Sequence, residues 1–127
     1  MPSYDAVQHE PAAPVARVML RNPDNTAIVA DYVLLMDTGA DVTLLPLVVA
    51  EQLGVPMVAD VQYELAAFDG TKSLVSVALI DMVFLNRVYR GRYLLVNAAE
   101  GVLGRDVLNH LSLLFDGPGQ QWTEQTR

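Results

Sequence analysis

Apolar positions along this chain fall in short runs, most of them alternating or without period, and turn formers separate them. Ala16 to Leu20 is a short apolar run and predicts a strand. Asn22-Pro23-Asp24-Asn25 predicts the turn of a hairpin. Thr26 to Met36 predicts a long strand, mixed at Asp31-Tyr32 and wholly apolar toward its end. Pro46 suits the first turn of a short helix, with Leu47, Ala50 and Leu53 on one face and Gly54 as its stop. Val58 to Ala67 alternates between polar and apolar residues, Asp69-Gly70 supplies a hairpin turn, and Lys72 to Leu79 returns. Ile80 to Leu85 and Val88 to Val96 predict a second antiparallel pair around Asn86-Arg87. A short helix over Val107 to Leu111, a strand over Leu113 to Phe115, a turn at Asp116 to Gly119 and a strand from Gln120 to Glu124 complete the chain. Many short strands with two short helices make the class mainly β.

Composition narrows this picture. The chain has 127 residues, 52% hydrophobic and 18% charged, enough for one domain with a true core. Residues 1–14 carry three prolines, two acids and His9, and are expected to form a flexible N-terminal arm ahead of a single domain over 15–127. A net charge of −7 disfavours nucleic acid as a partner. With no cysteine there is no disulfide, no thiolate metal site and no cysteine nucleophile. The N-terminus lacks the pattern of a secretory signal, and no apolar run reaches the length of a membrane span. A soluble, cytoplasmic protein without a membrane partner is therefore expected. Arg87, Arg90 and Arg92 are expected on a solvated strand face.

One stretch stands apart, Leu34-Leu35-Met36-Asp37-Thr38-Gly39-Ala40-Asp41-Val42-Thr43-Leu44-Leu45-Pro46. An apolar run delivers an acid, a hydroxyl residue and a glycine, then turns apolar again. An unpaired charge is costly to bury, so a carboxylate at the end of an apolar strand needs a reason. The glycine permits a tight turn or a close backbone approach. The threonine hydroxyl both donates and accepts. Together they hold one carboxylate at a fixed point on an apolar floor. The simpler alternative is a surface turn whose aspartate caps a helix, but the apolar flanks on both sides favour a turn inside the fold.

These residues carry a family likeness. From about Val33 to Glu124 the chain resembles the retropepsin-like aspartic proteases, single-domain homodimeric relatives of pepsin. Asp37-Thr38-Gly39-Ala40 resembles their active-site turn, and Pro46 to Val55 the short helix after it. The hairpin at Phe68-Asp69-Gly70-Thr71 falls where the family has its flap. Val102-Leu103-Gly104-Arg105-Asp106 resembles the late element of two apolar residues and a glycine before a helix, and Asp116-Gly117 with the last strand is like the closing segment of bacterial and retroelement members. The resemblance implies a half-barrel acid-protease fold with one or two short helices, acting as a homodimer on a peptide or protein substrate. The chain departs from the family in a flap tip that is not strongly glycine-rich, a longer N-terminal arm and a polar C-terminal tail.

The implied chemistry needs two carboxylates a hydrogen bond apart. Like charges at that distance cannot both ionise, so the pair shares one proton. The ionised member takes a proton from water and the protonated member hydrogen-bonds the scissile carbonyl. The chain holds one Asp-Thr-Gly and no Asp-Ser-Gly. One chain thus supplies one acid, and a C2 homodimer brings Asp37 of each subunit to the axis. By resemblance, Thr38 bonds to the opposite subunit, Gly39 and Ala40 support the turn, Asp41 pairs with Arg105, and the flap residues Phe68, Asp69, Gly70 and Thr71 close over an extended peptide. Phe68, Val42 and Leu103 are candidate wall residues, each equally placed for the core. No cofactor and no metal are expected. Asp37 and Asp41 could be read as metal ligands, but no suitable histidine accompanies them, His9 lying in the arm and His110 on the late helix. A catalytically silent dimeric peptide-binding module of the same fold is the alternative function.

Overall fold

The computed structural model describes residues 2–66 and 72–126. Ten strands and two short helices run along these residues. Strands β1 (Tyr4–Asp5), β2 (Ala13–Asn22), β3 (Asn25–Met36) and β4 (Leu44–Pro46) precede helix α1 (Val48–Leu53). Strands β5 (Val58–Ala66), β6 (Lys72–Phe84), β7 (Arg87–Val96) and β8 (Gly101–Leu103) lead to helix α2 (Arg105–Leu108). Strands β9 (Leu113–Asp116) and β10 (Gln121–Glu124) end the chain.

Eight strands form one sheet in the order β1-β2-β3-β8-β4-β7-β6-β5, and β2 also pairs with β6. That extra pairing closes a six-stranded barrel of β2, β3, β8, β4, β7 and β6. Closure removes the exposed edges that a short sheet would otherwise present. Inside lie Val18, Leu20, Leu34, Leu45, Ile80, Met82, Leu95 and Leu103, each 2% exposed or less. A smaller apolar group of Val75, Val77 and Leu94 packs with Val42, Leu44 and Val96.

Local chemistry accounts for the turns. The Asn22 side chain accepts the N–H groups of Asp24 at 2.8 Å and Asn25 at 3.2 Å, which closes the β2–β3 hairpin. Leu85 and Asn86 both take positive φ, 51° and 62°, as a two-residue hairpin between right-twisted strands requires. Helix α1 buries Val49, Ala50 and Leu53 and ends at Gly54 with φ 66°. Pro46 is not part of the helix as the sequence suggests; it pairs with Val96 at the end of β4.

One further expectation changes. Lys72 to Leu85 contains no strand breaker, so the two strands expected there are one, β6, which pairs with β5 through its first half and with β7 and β2 through its second. Within the arm expected over 1–14, residues 2–5 and 13–14 make backbone pairs. Tyr4–Asp5 pairs with Ala13–Pro14, the Tyr4 N–H donates to the Gln120 carbonyl at 3.1 Å, and the Trp122 N–H donates to Pro2 at 3.3 Å. The reason lies at the far end of the chain. Trp122 is 1% exposed, its ring packs on Phe84, and its Nε1 donates to the Val15 carbonyl at 2.9 Å. Burying so large a ring draws both chain ends together, and their backbone groups satisfy one another.

Candidate active site

Strand β3 carries the Asp37 turn. Its last residues run parallel to β8, with Leu34, Leu35 and Met36 opposite Gly101, Val102 and Leu103. The Asp37 N–H then donates to the Leu103 carbonyl at 3.0 Å, so the ladder extends one step into the turn. The Ala40 N–H closes the turn on the Asp37 carbonyl at 3.1 Å. Inside it, the Gly39 N–H donates to Asp37 Oδ1 at 2.9 Å and fixes that carboxylate. Asp37 is half-buried, while Thr38 and Gly39 beside it are exposed.

Glycine at 39 leaves room for the Asp37 carboxylate. Its φ is not left-handed, but a Cβ there would lie 3.1 Å from Asp37 Oδ1. Gly104 is tighter still, since a Cβ would come within 2.5 Å of the Val42 carbonyl carbon and 2.6 Å of its oxygen. The segments 37–43 and 103–106 therefore pass in direct contact, with Gly104 at the crossing.

Arg105 ties the turn from the side. Its Nη1 donates to the Thr38 carbonyl at 2.6 Å and its Nη2 meets Asp41 Oδ1 at 2.5 Å. Its backbone N–H donates to the Ala40 carbonyl at 2.9 Å. Asp41 and Arg105 are thus brought together, though not by burial: the side chains are 84% and 39% exposed. A pair this wet contributes about 0–1 kcal/mol, well below the 3–5 kcal/mol lost when a buried pair is broken. Of the candidate wall residues, Leu103 is wholly buried in the barrel and Val42 packs with the smaller apolar group. Phe68, Asp69, Gly70 and Thr71 lie outside the described residues.

Two polar clusters carry no obvious signal in the sequence. Thr43, only 1% exposed, donates its hydroxyl to Asp106 Oδ1 at 2.7 Å and its N–H to Asp106 Oδ2 at 3.0 Å. Asp81 is fully buried and takes Arg90 Nε at 2.7 Å and Arg21 Nε at 3.2 Å. The Arg90 guanidinium holds the Asp81 carboxyl below its usual range; burial opposes that shift and Arg21 adds to it. Arg90 is therefore no plain solvated residue, and Arg87 pairs with Glu124 at 2.6 Å. The spacing of Asp81 and Arg90 about the β6–β7 turn, which places them directly opposite, is the one clue available beforehand.

The fold has counterparts among solved structures. The chain superposes on EIAV protease complexed with the inhibitor HBY-793 with a TM-score of 0.61 at 20% identity, over 77% of this chain and 86% of that one. It superposes on a retropepsin-like aspartic protease from Rickettsia conorii with a TM-score of 0.51 at 18% identity, over 98% and 96%. The fold is retropepsin-like. At this identity the likeness is one of fold. No protein-family model matches the sequence, and no curated protein is significantly similar to it. Within the retropepsin-like frame, Asp37 sits on the turn after a barrel strand and Arg105 begins the late helix. Among the described residues, no group of three or more histidine, aspartate or glutamate side chains could hold a metal, and no helix is long and apolar enough to cross a membrane.

Proposed function

We propose that the chain is an aspartic endopeptidase that works as a C2 homodimer, with Asp37 of each subunit forming the catalytic pair. The observation that carries this is the Asp37 turn itself. A retropepsin-like barrel ends one strand in a half-buried carboxylate, one oxygen of which is fixed by the Gly39 N–H. Two such carboxylates sharing a proton can activate water and polarise a peptide carbonyl. No covalent intermediate is required. The protease domain would span 15–127, with 1–14 as an arm ahead of it.

The partner subunit is supported by the chain's C-terminal hairpin. Among the described residues, β9 pairs on one edge only, with β10. Ser112 accepts from Gln125 at 2.7 Å, and from that register Leu113 and Phe115 turn their backbone groups away from β10. Leu114 and Phe115 are 56% and 41% exposed on this strand. An apolar open edge pairs readily with its own copy about a two-fold axis. By resemblance, the flap at Phe68, Asp69, Gly70 and Thr71 would lie over an extended peptide held as an added strand.

The test is cleavage of a protein substrate between about pH 4 and 7, with and without a statine-type inhibitor, by the wild type and by Asp37→Ala. Inhibitable cleavage that Asp37→Ala lacks is expected. Peptide binding without turnover, unchanged in Asp37→Asn, would instead establish a silent binding module.

A further inference from the structure

The Asp37 turn is held on one side by three successive rungs. The first joins the Asp37 N–H to the Leu103 carbonyl and the second joins the Arg105 N–H to the Ala40 carbonyl. The third is made of side chains. The Thr43 hydroxyl donates to Asp106 Oδ1 at 2.7 Å and accepts the Gly104 N–H at 3.1 Å, while the Thr43 N–H donates to Asp106 Oδ2 at 3.0 Å. Asp106 Oδ1 also accepts the Val107 N–H at 3.0 Å.

Thr43 and Asp81 are the two buried polar or charged residues among those described. Asp81 lies on β6, opposite Arg90 and away from the turn. Thr43 lies at the end of the segment that starts at Asp37. Only a hydroxyl can both donate to the carboxylate and accept from the Gly104 amide at one atom. Valine has the same shape and does neither. Gly104 makes the bond possible, because any side chain there would push the Val42 carbonyl away.

We infer that Thr43 and Asp106 form a positioning bracket for Asp37: they lock the 37–43 segment against the start of α2 and so fix where the carboxylate stands. This rests on the proposed hydrolysis only for its kinetic consequence. The bracket acts on a turn whose geometry sets reactivity, and small displacements of a catalytic carboxylate cost rate rather than binding. Arg105 and Asp106 are consecutive, so the first turn of α2 grips the loop at both ends, Arg105 at Thr38 and Asp106 at Thr43.

The experiment uses the full chain with three variants, Thr43→Val, Thr43→Ser and Asp106→Asn. It measures kcat and KM on a peptide substrate and backbone amide exchange by NMR. Thr43→Val is expected to lower kcat by about 10–100-fold with KM nearly unchanged, and Thr43→Ser to restore it. Exchange at Gly39, whose N–H holds Asp37 Oδ1, should quicken about tenfold, while β6 amides such as that of Met82 do not change. Wild-type kcat and Gly39 exchange in a folded Thr43→Val would overturn the bracket. So would a rise in KM alone, or equal quickening of all amides. If Thr43→Val does not fold, Asp106→Asn is read by the same criteria. If the wild type cleaves nothing, the protease reading falls, and Gly39 exchange alone decides the bracket.

Discussion

Arg105 and Thr38 are joined across the turn: the guanidinium Nη1 of Arg105 donates to the Thr38 carbonyl at 2.6 Å. The second arm of the same guanidinium holds Asp41, and the Arg105 backbone N–H holds Ala40. One residue thus grips three of the five positions from Asp37 to Asp41. The ion pair adds little to this grip, since its carboxylate partner is mostly in water.

That difference is measurable. Asp41→Asn should lower unfolding stability by less than about 1 kcal/mol, because it removes an exposed charge pair. Arg105→Leu should cost more, about 0.5–1.5 kcal/mol, since it removes the hydrogen bond to the Thr38 carbonyl as well as the ion pair. Urea denaturation at one fixed protein concentration checks both. Equal losses would show that the ion pair, not the carbonyl bond, carries the effect.

Gly39→Ala should separate catalysis from folding. The added methyl would sit 3.1 Å from Asp37 Oδ1, tighter than ordinary contact, and the carboxylate would move to make room. A fall in kcat on the order of 10–100-fold is expected, with stability within about 1 kcal/mol of wild type. Wild-type kinetics in this variant would mean that the Asp37 carboxylate has room to spare.

Asp81 gives the fold a pH dependence. Its native carboxyl is held below the ordinary value, foremost by the hydrogen bond from Arg90. The unfolded chain therefore binds a proton more readily than the native one, and stability rises with pH through this interval. The stabilisation is complete above the unfolded aspartate value, about 3.9, and is lost as the pH falls through the lower native value. Asp81→Asn should be less stable than wild type near pH 7, and the gap should narrow as the pH drops toward 3. Urea midpoints across that range test the sign. A gap that stays constant would exclude Asp81 as its source.

The open edge of β9 predicts the oligomer. Leu114→Asp with Phe115→Asp should convert a dimer to a folded monomer in sedimentation, because both side chains are largely exposed in the single chain. Proteolysis should vanish with the dimer. A dimer that survives both substitutions would place the seam elsewhere.

Much of this is legible in the chain itself, and the reasons are local. The apolar run into Asp37-Thr38-Gly39 shows that a strand ends in a carboxylate. The Asn22 turn, the Gly54 helix stop and the Asp116 to Gly119 turn are set by residues that act within a few positions. Continuity of β6 is less legible, because a strand that changes partners halfway alters its polarity pattern without breaking. Asp81 is likewise obscure, since an acid within an apolar strand shows its purpose only once Arg21 and Arg90 are seen beside it.

The sequence by itself determines a mainly β chain in which an apolar strand ends in one Asp-Thr-Gly turn, since strand period and turn chemistry act over short range. The tertiary structure alone decides that β2 closes on β6, that both chain ends meet over Trp122, and that Thr43 faces Asp106 across 63 positions. Such pairings depend on which distant segments share a buried surface, and no residue carries that information within its own neighbourhood.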